Sequence, residues 1–387
     1  MLEKEKLEKK LKEWFEWFHQ NPELSYEEYA TTDKIREILT QAGIKILPYE
    51  LETGLVAVIE GEKEGPVQAL RCDIDALPVK EQTNLAYASR QEGKMHACGH
   101  DFHITAGIGC ALLLNEKKRD LKGTVKIIFQ PGEETSLGAL KILETDVMED
   151  VEQIWGFHAD PTNEVGTVGI REGYVAAAAD RFVITVRGVG CHGAHPDDGI
   201  DPVPVAVAIV QGLWTVVARN INAFHPALVS VTRIQAGSTW NVIPETAELE
   251  GTVRTMNRED RALFERRMRE IAEGTARAYG AGARVEWIEG SPAVYNDGRM
   301  AERSMEAARR CGLQVAPEES SMGGDDFSFY EEKIPGCYVK IGIGKGPTIH
   351  QPGFCVDERA ILPAAEYLTE LLFSAFISRS SDPGAQS

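Results

Sequence analysis

Two short runs in this sequence, residues 68–74 (QALRCDI) and 123–130 (GTVKIIFQ), read as apolar strands without regular alternation. A strand with one wet face alternates apolar and polar side chains, whereas a strand covered on both faces does not. Both runs therefore read as central strands of a sheet sandwiched between helices. Residues 54–60 and 153–157 read as further short strands. Helical periodicity covers residues 27–42, and an apolar helix covers 103–116. The alternation predicts a layered α/β domain. The N-terminal stretch MLEKEKLEKKLKEWFEWFHQ is charged from its third residue and lacks a signal peptide's apolar core. It reads as an amphipathic helix with Leu7, Leu11, Trp14, Phe15 and Phe18 on one side, and a cytoplasmic location is the expectation.

The pattern changes near Asp180. Strand 181–187, helix 202–220, strands 227–235 and 246–255, helix 257–279 and strand 283–288 follow one another as β-α-β-β-α-β, the order of a ferredoxin-like unit. With 387 residues the chain is too long for one ordinary core. The expected division is a discontinuous catalytic domain, residues 1–178 and 291–387, interrupted by a small α+β domain, residues 179–290. A final helix is expected over 358–376, and the tail SRSSDPGAQS is expected to be disordered.

The net charge of −19, with no basic block to offset it, excludes nucleic acid and anionic membranes as partners. No stretch is expected to approach the apolar length needed to span a bilayer. A small-molecule substrate is the expectation. Seven cysteines at scattered spacings do not form a disulfide framework, and reduced thiols fit a cytosolic enzyme.

The chemistry-bearing residues gather where strands end. MHACGHDFH, residues 95–103, holds His96, Cys98, His100, Asp101 and His103. Thiolate and imidazole are both good ligands for zinc-type metals. QPGEE, residues 130–134, sets Glu133 and Glu134 directly after an apolar strand, where ligands gather in open α/β sheets. Adjacent carboxylates there can divide two tasks, one holding a metal and the other moving a proton. His158 is expected just past a short buried strand and His350 in a Gly/Pro loop. Asp73 and Asp75, two apart at a strand end, point the same way, so they require a cation, a proton or hydrogen bonds. The set is large enough for two metal ions. There is no G-x-S-x-G elbow and no phosphate-cradling loop. A Cys98 nucleophile with His100 or His96 as base is conceivable, but it leaves Glu133, Glu134, His158 and His350 without a role.

In order along the chain, FHQNPELSYEE, RCDIDALP, MHACGHD, QPGEE, GFH, GxGCHGAHP, NVIP, GTVRT, GGDDFS and a C-terminal H-x-P are present. Together they resemble the aminoacylase/carboxypeptidase family of metal-dependent amidohydrolases, in the branch of hippurate hydrolases, N-acetyl-diaminopimelate deacetylases and auxin-conjugate hydrolases. The resemblance implies a catalytic α/β domain carrying a ferredoxin-like lid. It implies two divalent metal ions (Zn, Mn, Co or Ni) held by Cys98, His100, Glu134, His158 and His350. Glu133 would be the general base and acid, and Asp75 would orient a ligand histidine. From the lid, His192 would bind the carbonyl oxygen of the transition state, and Asn241 and Arg254 would reach the substrate carboxylate. A homodimer through the lid is also implied. Three positions depart from the common pattern: Gly132 replaces Ala, which is expected to be harmless, Cys191 replaces Gly, and Asp325 replaces Glu.

The expected reaction is hydrolysis of the amide bond of an N-acyl amino acid. A dipeptidase or carboxypeptidase ranks second, because carboxylate ligands are usual there in place of Cys98 and His100. A non-catalytic conjugate-binding protein is the third reading.

Overall fold

The computed structural model describes residues 4–374. The polar tail and the last two residues expected for the final helix lie outside them. By contacts the chain divides into two compact units, 1–175 with 295–319 and 326–387, and 176–294 with 320–325. The sequence had suggested breaks after 178 and 290 and had assigned 320–325 to the larger part. That short segment belongs to the smaller unit because Ala177 N–H donates to the carbonyls of Ser321 (3.1 Å) and Gly323 (2.9 Å).

The larger unit contains, in order, α1 (Lys4–Gln20), α2 (Tyr29–Gln41), β1 (Lys45–Ile46), β2 (Leu55–Glu60), β3 (Lys63–Asp73), α3 (His100–Glu116), β4 (Lys122–Gln130), β5 (Gln153–Asp160) and β6 (Thr167–Ile170). The smaller unit contains β7 (Ala178–Arg187), α4 (Pro202–Arg219), β8 (Ala227–Ala236), β9 (Thr246–Thr255), α5 (Arg258–Ala278) and β10 (Gly282–Ile288). The larger unit resumes with α6 (Gly298–Arg310), β11 (Gln314–Pro317), β12 (Gly336–Gly342) and α7 (Ile361–Ser374).

One mixed sheet, ordered β1-β2-β4-β3-β5-β12-β6-β11, crosses the larger unit. Its central strands β4, β3, β5 and β12 are mutually parallel. Their carboxyl ends therefore open on the same edge, where side chains following each strand can meet. The two apolar runs are β3 and β4, buried on both faces as read. α3 is buried almost all round, between the sheet on one side and α7 and α1 on the other, which explains why its apolar residues show no single face.

The amphipathic reading of α1 holds: Leu7, Leu11, Phe15 and Phe18 are buried. His19 is buried beside them. Its Nδ1 meets Asp101 Oδ2 at 2.6 Å and its Nε2 meets Glu81 Oε1 at 3.3 Å. Burial opposes the imidazolium, but hydrogen bonds to the two carboxylates outweigh it and raise the group to about 9. Because the folded value lies above the usual one near 6.5, this contribution is complete below pH 6.5 and fades as pH rises through 9. The wild-type melting temperature is expected to fall across that window, with on the order of 3 kcal/mol at stake. His19→Gln should flatten the slope. An equal slope in the variant would show that another group titrates.

The smaller unit is a four-stranded antiparallel sheet, β8-β9-β7-β10, with α4 and α5 packed on one face around Phe182, Ile184, Leu249, Phe264 and Met268. The chain order and strand order make it the expected ferredoxin-like unit. One expectation is corrected. α4 has 18 residues and a mean hydropathy of 1.4, so by length and composition it could cross a membrane. Its apolar run has a local cause in this fold: Val205, Ala206, Ile209, Leu213 and Val216 fill the core of the smaller unit.

Candidate metal centre

Four segments leave the sheet edge of the larger unit and bring their donor atoms together. Cys98 and His100 flank the start of α3, Glu134 follows β4, His158 is near the end of β5, and His350 follows β12. His158 lies inside β5 rather than past it, as the sequence had suggested, because the strand continues to Asp160. The turn into α3 needs Gly99, which has φ +84° and would place a Cβ 2.8 Å from that of Ala159. With Gly99 there, α3 begins at His100 instead of His103.

Donor atoms of Cys98, His100 and His158 all lie within 4.8 Å of one another, as do those of Cys98, Glu134 and His350, and those of His100, Glu133 and Glu134. These overlapping groups include all five expected ligands and Glu133. Cys98 Sγ is 3.3 Å from His158 Nε2, and His350 Nε2 is 3.5 Å from Glu134 Oε1. Bonds of about 2.0–2.3 Å to one ion leave its ligands roughly this far apart.

Backbone carbonyls choose the histidine tautomers. His158 Nδ1–H donates to Ala159 O at 2.8 Å, and His100 Nδ1–H to Asp75 O at 2.8 Å. In each ring this leaves Nε2 as the nitrogen available to a metal, which it binds once it carries no proton. His100 Nε2 is buried and makes no hydrogen bond; Asp73 Oδ2 lies 3.5 Å away, and although burial opposes the charge, the Asp73 and Asp75 carboxylates raise this imidazole well above its usual value. Burial keeps His158 neutral by lowering it to about 3, and it raises the Cys98 thiol well above its usual value. A buried ring nitrogen without a hydrogen bond, carboxylates beside it that call for a positive charge, and a thiol that needs a counter-charge to ionise are what a divalent cation would satisfy. The donor set fits such an ion.

His103 resembles a further ligand but is committed elsewhere. Its Nδ1 donates to Asp73 Oδ1, and its Nε2 accepts from Ala159 N–H at 2.8 Å. It thereby pins the backbone next to His158. His96, singled out with the same motif, is buried with no hydrogen bond to either ring nitrogen.

Asp75 joins two parts of the site. Oδ1 is 3.2 Å from His100 Nδ1, and Oδ2 accepts from Glu134 N–H at 3.0 Å. Gly132 is more than a neutral replacement for the common Ala. It has φ +68°, and a Cβ there would lie 2.5 Å from Cε1 of Tyr26.

The other expected residues lie on the smaller unit. His192 is in a two-residue strand opposite Val242, and Gly193 N–H donates to Asn241 O at 2.8 Å, so His192 and Asn241 lie on the same short two-stranded ladder. Cys191 is partly exposed beside them. Arg254 stands on β9 opposite Ala179 and Leu228, half-buried. Asp325 is buried in the 320–325 segment.

The sequence reading missed the support beneath the centre. Arg71, with no exposed surface, donates Nη1 to Asp73 Oδ2 (2.7 Å), Nη2 to Asp326 Oδ1 (2.6 Å) and Nε to Gln130 Oε1 (3.2 Å). The available signal was an arginine in the middle of a strand read as buried on both faces, which requires a buried anion near it.

Comparison with known proteins agrees with this geometry. Residues 69–374 match Peptidase family M20/M25/M40. An N-acetylcysteine deacetylase of Bacillus subtilis is 49% identical over 354 residues, covering 91% of this chain and 93% of the relative. Thermostable carboxypeptidase 2 of Saccharolobus solfataricus is 36% identical, covering 92% and 94%. Among solved structures, a Bacillus subtilis protein described as a dinuclear metal binding peptidase from the M20 family is 44% identical, with a TM-score of 0.88 and coverage of 96% and 99%. The chain therefore belongs to Peptidase family M20/M25/M40, and it is a metal-dependent amidohydrolase.

Proposed function

We propose that the protein hydrolyses the N-acyl bond of small N-acyl amino acids, with an N-acetyl amino acid such as N-acetylcysteine as the first substrate to test. The observation that carries this reading is the convergence of Cys98, His100, Glu134, His158 and His350 around one sheet edge with Glu133 beside them. The deacetylase name of the 49% identical relative supports an acetyl group.

The divalent ions would polarise the scissile carbonyl and make a nearby water more acidic. Glu133 takes the proton of that water and delivers it to the departing amine. Asp75 holds His100 in the tautomer that leaves Nε2 free. His192 would donate to the developing negative charge on the carbonyl oxygen. Asn241 and the planar guanidinium of Arg254 would hold the substrate carboxylate.

The test is a panel of N-acetyl, N-benzoyl and N-lactoyl amino acids together with dipeptides, incubated with purified protein with and without a chelator, and with Mn or Zn restored. Chelator-sensitive cleavage of an N-acyl class is expected. Cleavage of dipeptides alone would favour the carboxypeptidase reading, in line with the 36% identical relative. Binding of these compounds with metal present and no product would refute catalysis.

We further propose a homodimer through the smaller unit. Its edge strand β8 and the outer face of α4 expose Ile234, Val203, Val207 and Trp214. A monomeric mass by light scattering at working concentration would refute it.

A further inference from the structure

Residues 24–28 (LSYEE) belong to the first motif of the family pattern but include none of the residues assigned above. Their polar atoms nevertheless reach both sides of the centre. Ser25 Oγ donates to Asp75 Oδ2 at 2.7 Å, the oxygen that also accepts Glu134 N–H. Tyr26 hydroxyl meets Thr135 Oγ1 at 3.1 Å, and its ring occupies the space beside Gly132. Glu28 is fully buried; Oε1 accepts from Gly132 N–H at 2.9 Å and Oε2 from Thr53 Oγ1 at 2.7 Å.

Local structure does not explain Glu28. It stands at the N-cap position of α2, where a side-chain oxygen normally bonds the first free amides. Its carboxylate makes no such bond. Glu23 does that work instead, accepting from Ala30 N–H at 3.1 Å and Thr31 N–H at 2.8 Å. A carboxyl buried without a local purpose is costly, and burial pushes this one up to about 7. Its partner is distant in sequence: Gly132 opens the turn that carries Glu133 and Glu134, and its φ of +68° lies in the left-handed region that favours glycine.

We infer that Glu28 is a positioning residue, which holds Gly132 N–H and so sets the direction in which the 131–134 turn presents Glu133 and Glu134. Ser25 does the same from the Asp75 side. The catalytic consequence rests on the proposed role of Glu133; the anchoring of the turn does not.

The experiment uses the full chain and two variants. Glu28→Gln keeps an oxygen for Gly132 N–H and offers Thr53 an amide donor, whereas Glu28→Ala removes both contacts. In metal-free protein, amide hydrogen exchange across residues 129–137 is expected to be about tenfold faster in Glu28→Ala and close to wild type in Glu28→Gln. With metal restored, kcat of Glu28→Ala should fall about 30-fold with KM within about threefold, and Glu28→Gln should recover most of it. Unchanged exchange in Glu28→Ala, or faster exchange with wild-type kcat, overturns the inference. If Glu28→Ala does not fold, Ser25→Ala takes its place, with faster exchange in the same segment and about fivefold lower kcat expected. Wild-type values for both would overturn the inference. A wild-type protein that cleaves nothing in the panel, while the exchange contrast persists, refutes the hydrolase reading and leaves the anchoring intact.

Discussion

Glu133→Gln is expected to lower kcat roughly a thousandfold while both metal ions remain bound and KM changes little. Glutamine has the shape of glutamate and retains an acceptor oxygen, so the turn after β4 keeps its hydrogen bonds. What it loses is the ability to take a proton. Proton transfer by a positioned side chain contributes about 10²–10⁴ to rate. A loss confined to kcat is the signature of an interaction made only in the transition state. Glu133 is grouped with His100 and Glu134 within 4.8 Å, so it is near enough to the ligands to serve a water activated there. Metal content is measured by mass spectrometry on the same preparation that is assayed. A variant with both ions and a near-wild-type rate would disprove the proton-transfer role.

Much of this arrangement was legible because several local signals agree. Two strands without alternation required a sheet covered on both sides, and parallel strands of such a sheet collect their following residues at one edge. That is why Cys98, Glu134, His158 and His350, each read near a strand or helix end, come together. The β-α-β-β-α-β order of residues 178–288 was equally plain, because β7 and β9 alternate cleanly in burial. What was not legible depends on partners far apart in sequence. Asp326 meets Arg71 across 255 residues and Glu28 meets Gly132 across 104. No local periodicity reports such pairs. The start of α3 was missed for another reason: the left-handed conformation of Gly99 begins the helix at His100, ahead of the apolar run. The apolar length of α4 was underestimated; five of its apolar residues fill the core of the smaller unit.

The second large effect concerns stability. Asp326→Ala is expected to destabilise the larger unit by about 3–5 kcal/mol, the usual cost of removing one partner of a buried ion pair. The carboxylate has three kinds of donor around it. Arg71 Nη2 lies at 2.6 Å, Gln130 Nε2 at 2.9 and 3.0 Å from its two oxygens, and Ala139 N–H at 2.8 Å. Arg71 and Asp326 have no exposed surface, so water does not replace the lost acceptor without a rearrangement of the core. The disturbance should also reach the metal centre. Gln130 ends β4 and leads into the Glu133 turn, and Asp73 connects Arg71 to His103 and so to the backbone beside His158. At roughly 2–4 °C per kcal/mol for a unit of this size, the melting temperature should fall by about 10 °C. Asp326→Asn preserves the shape but removes the charge and sets an amide against the Ala139 or Gln130 donor, so an intermediate fall is expected. Melting is followed in metal-free protein, where ligand binding cannot mask the change. A loss below about 1 kcal/mol in Asp326→Ala would mean that the buried guanidinium is satisfied by Asp73 and Gln130 alone. In that case Asp326 would not be the anion that lets an arginine occupy the middle of this sheet.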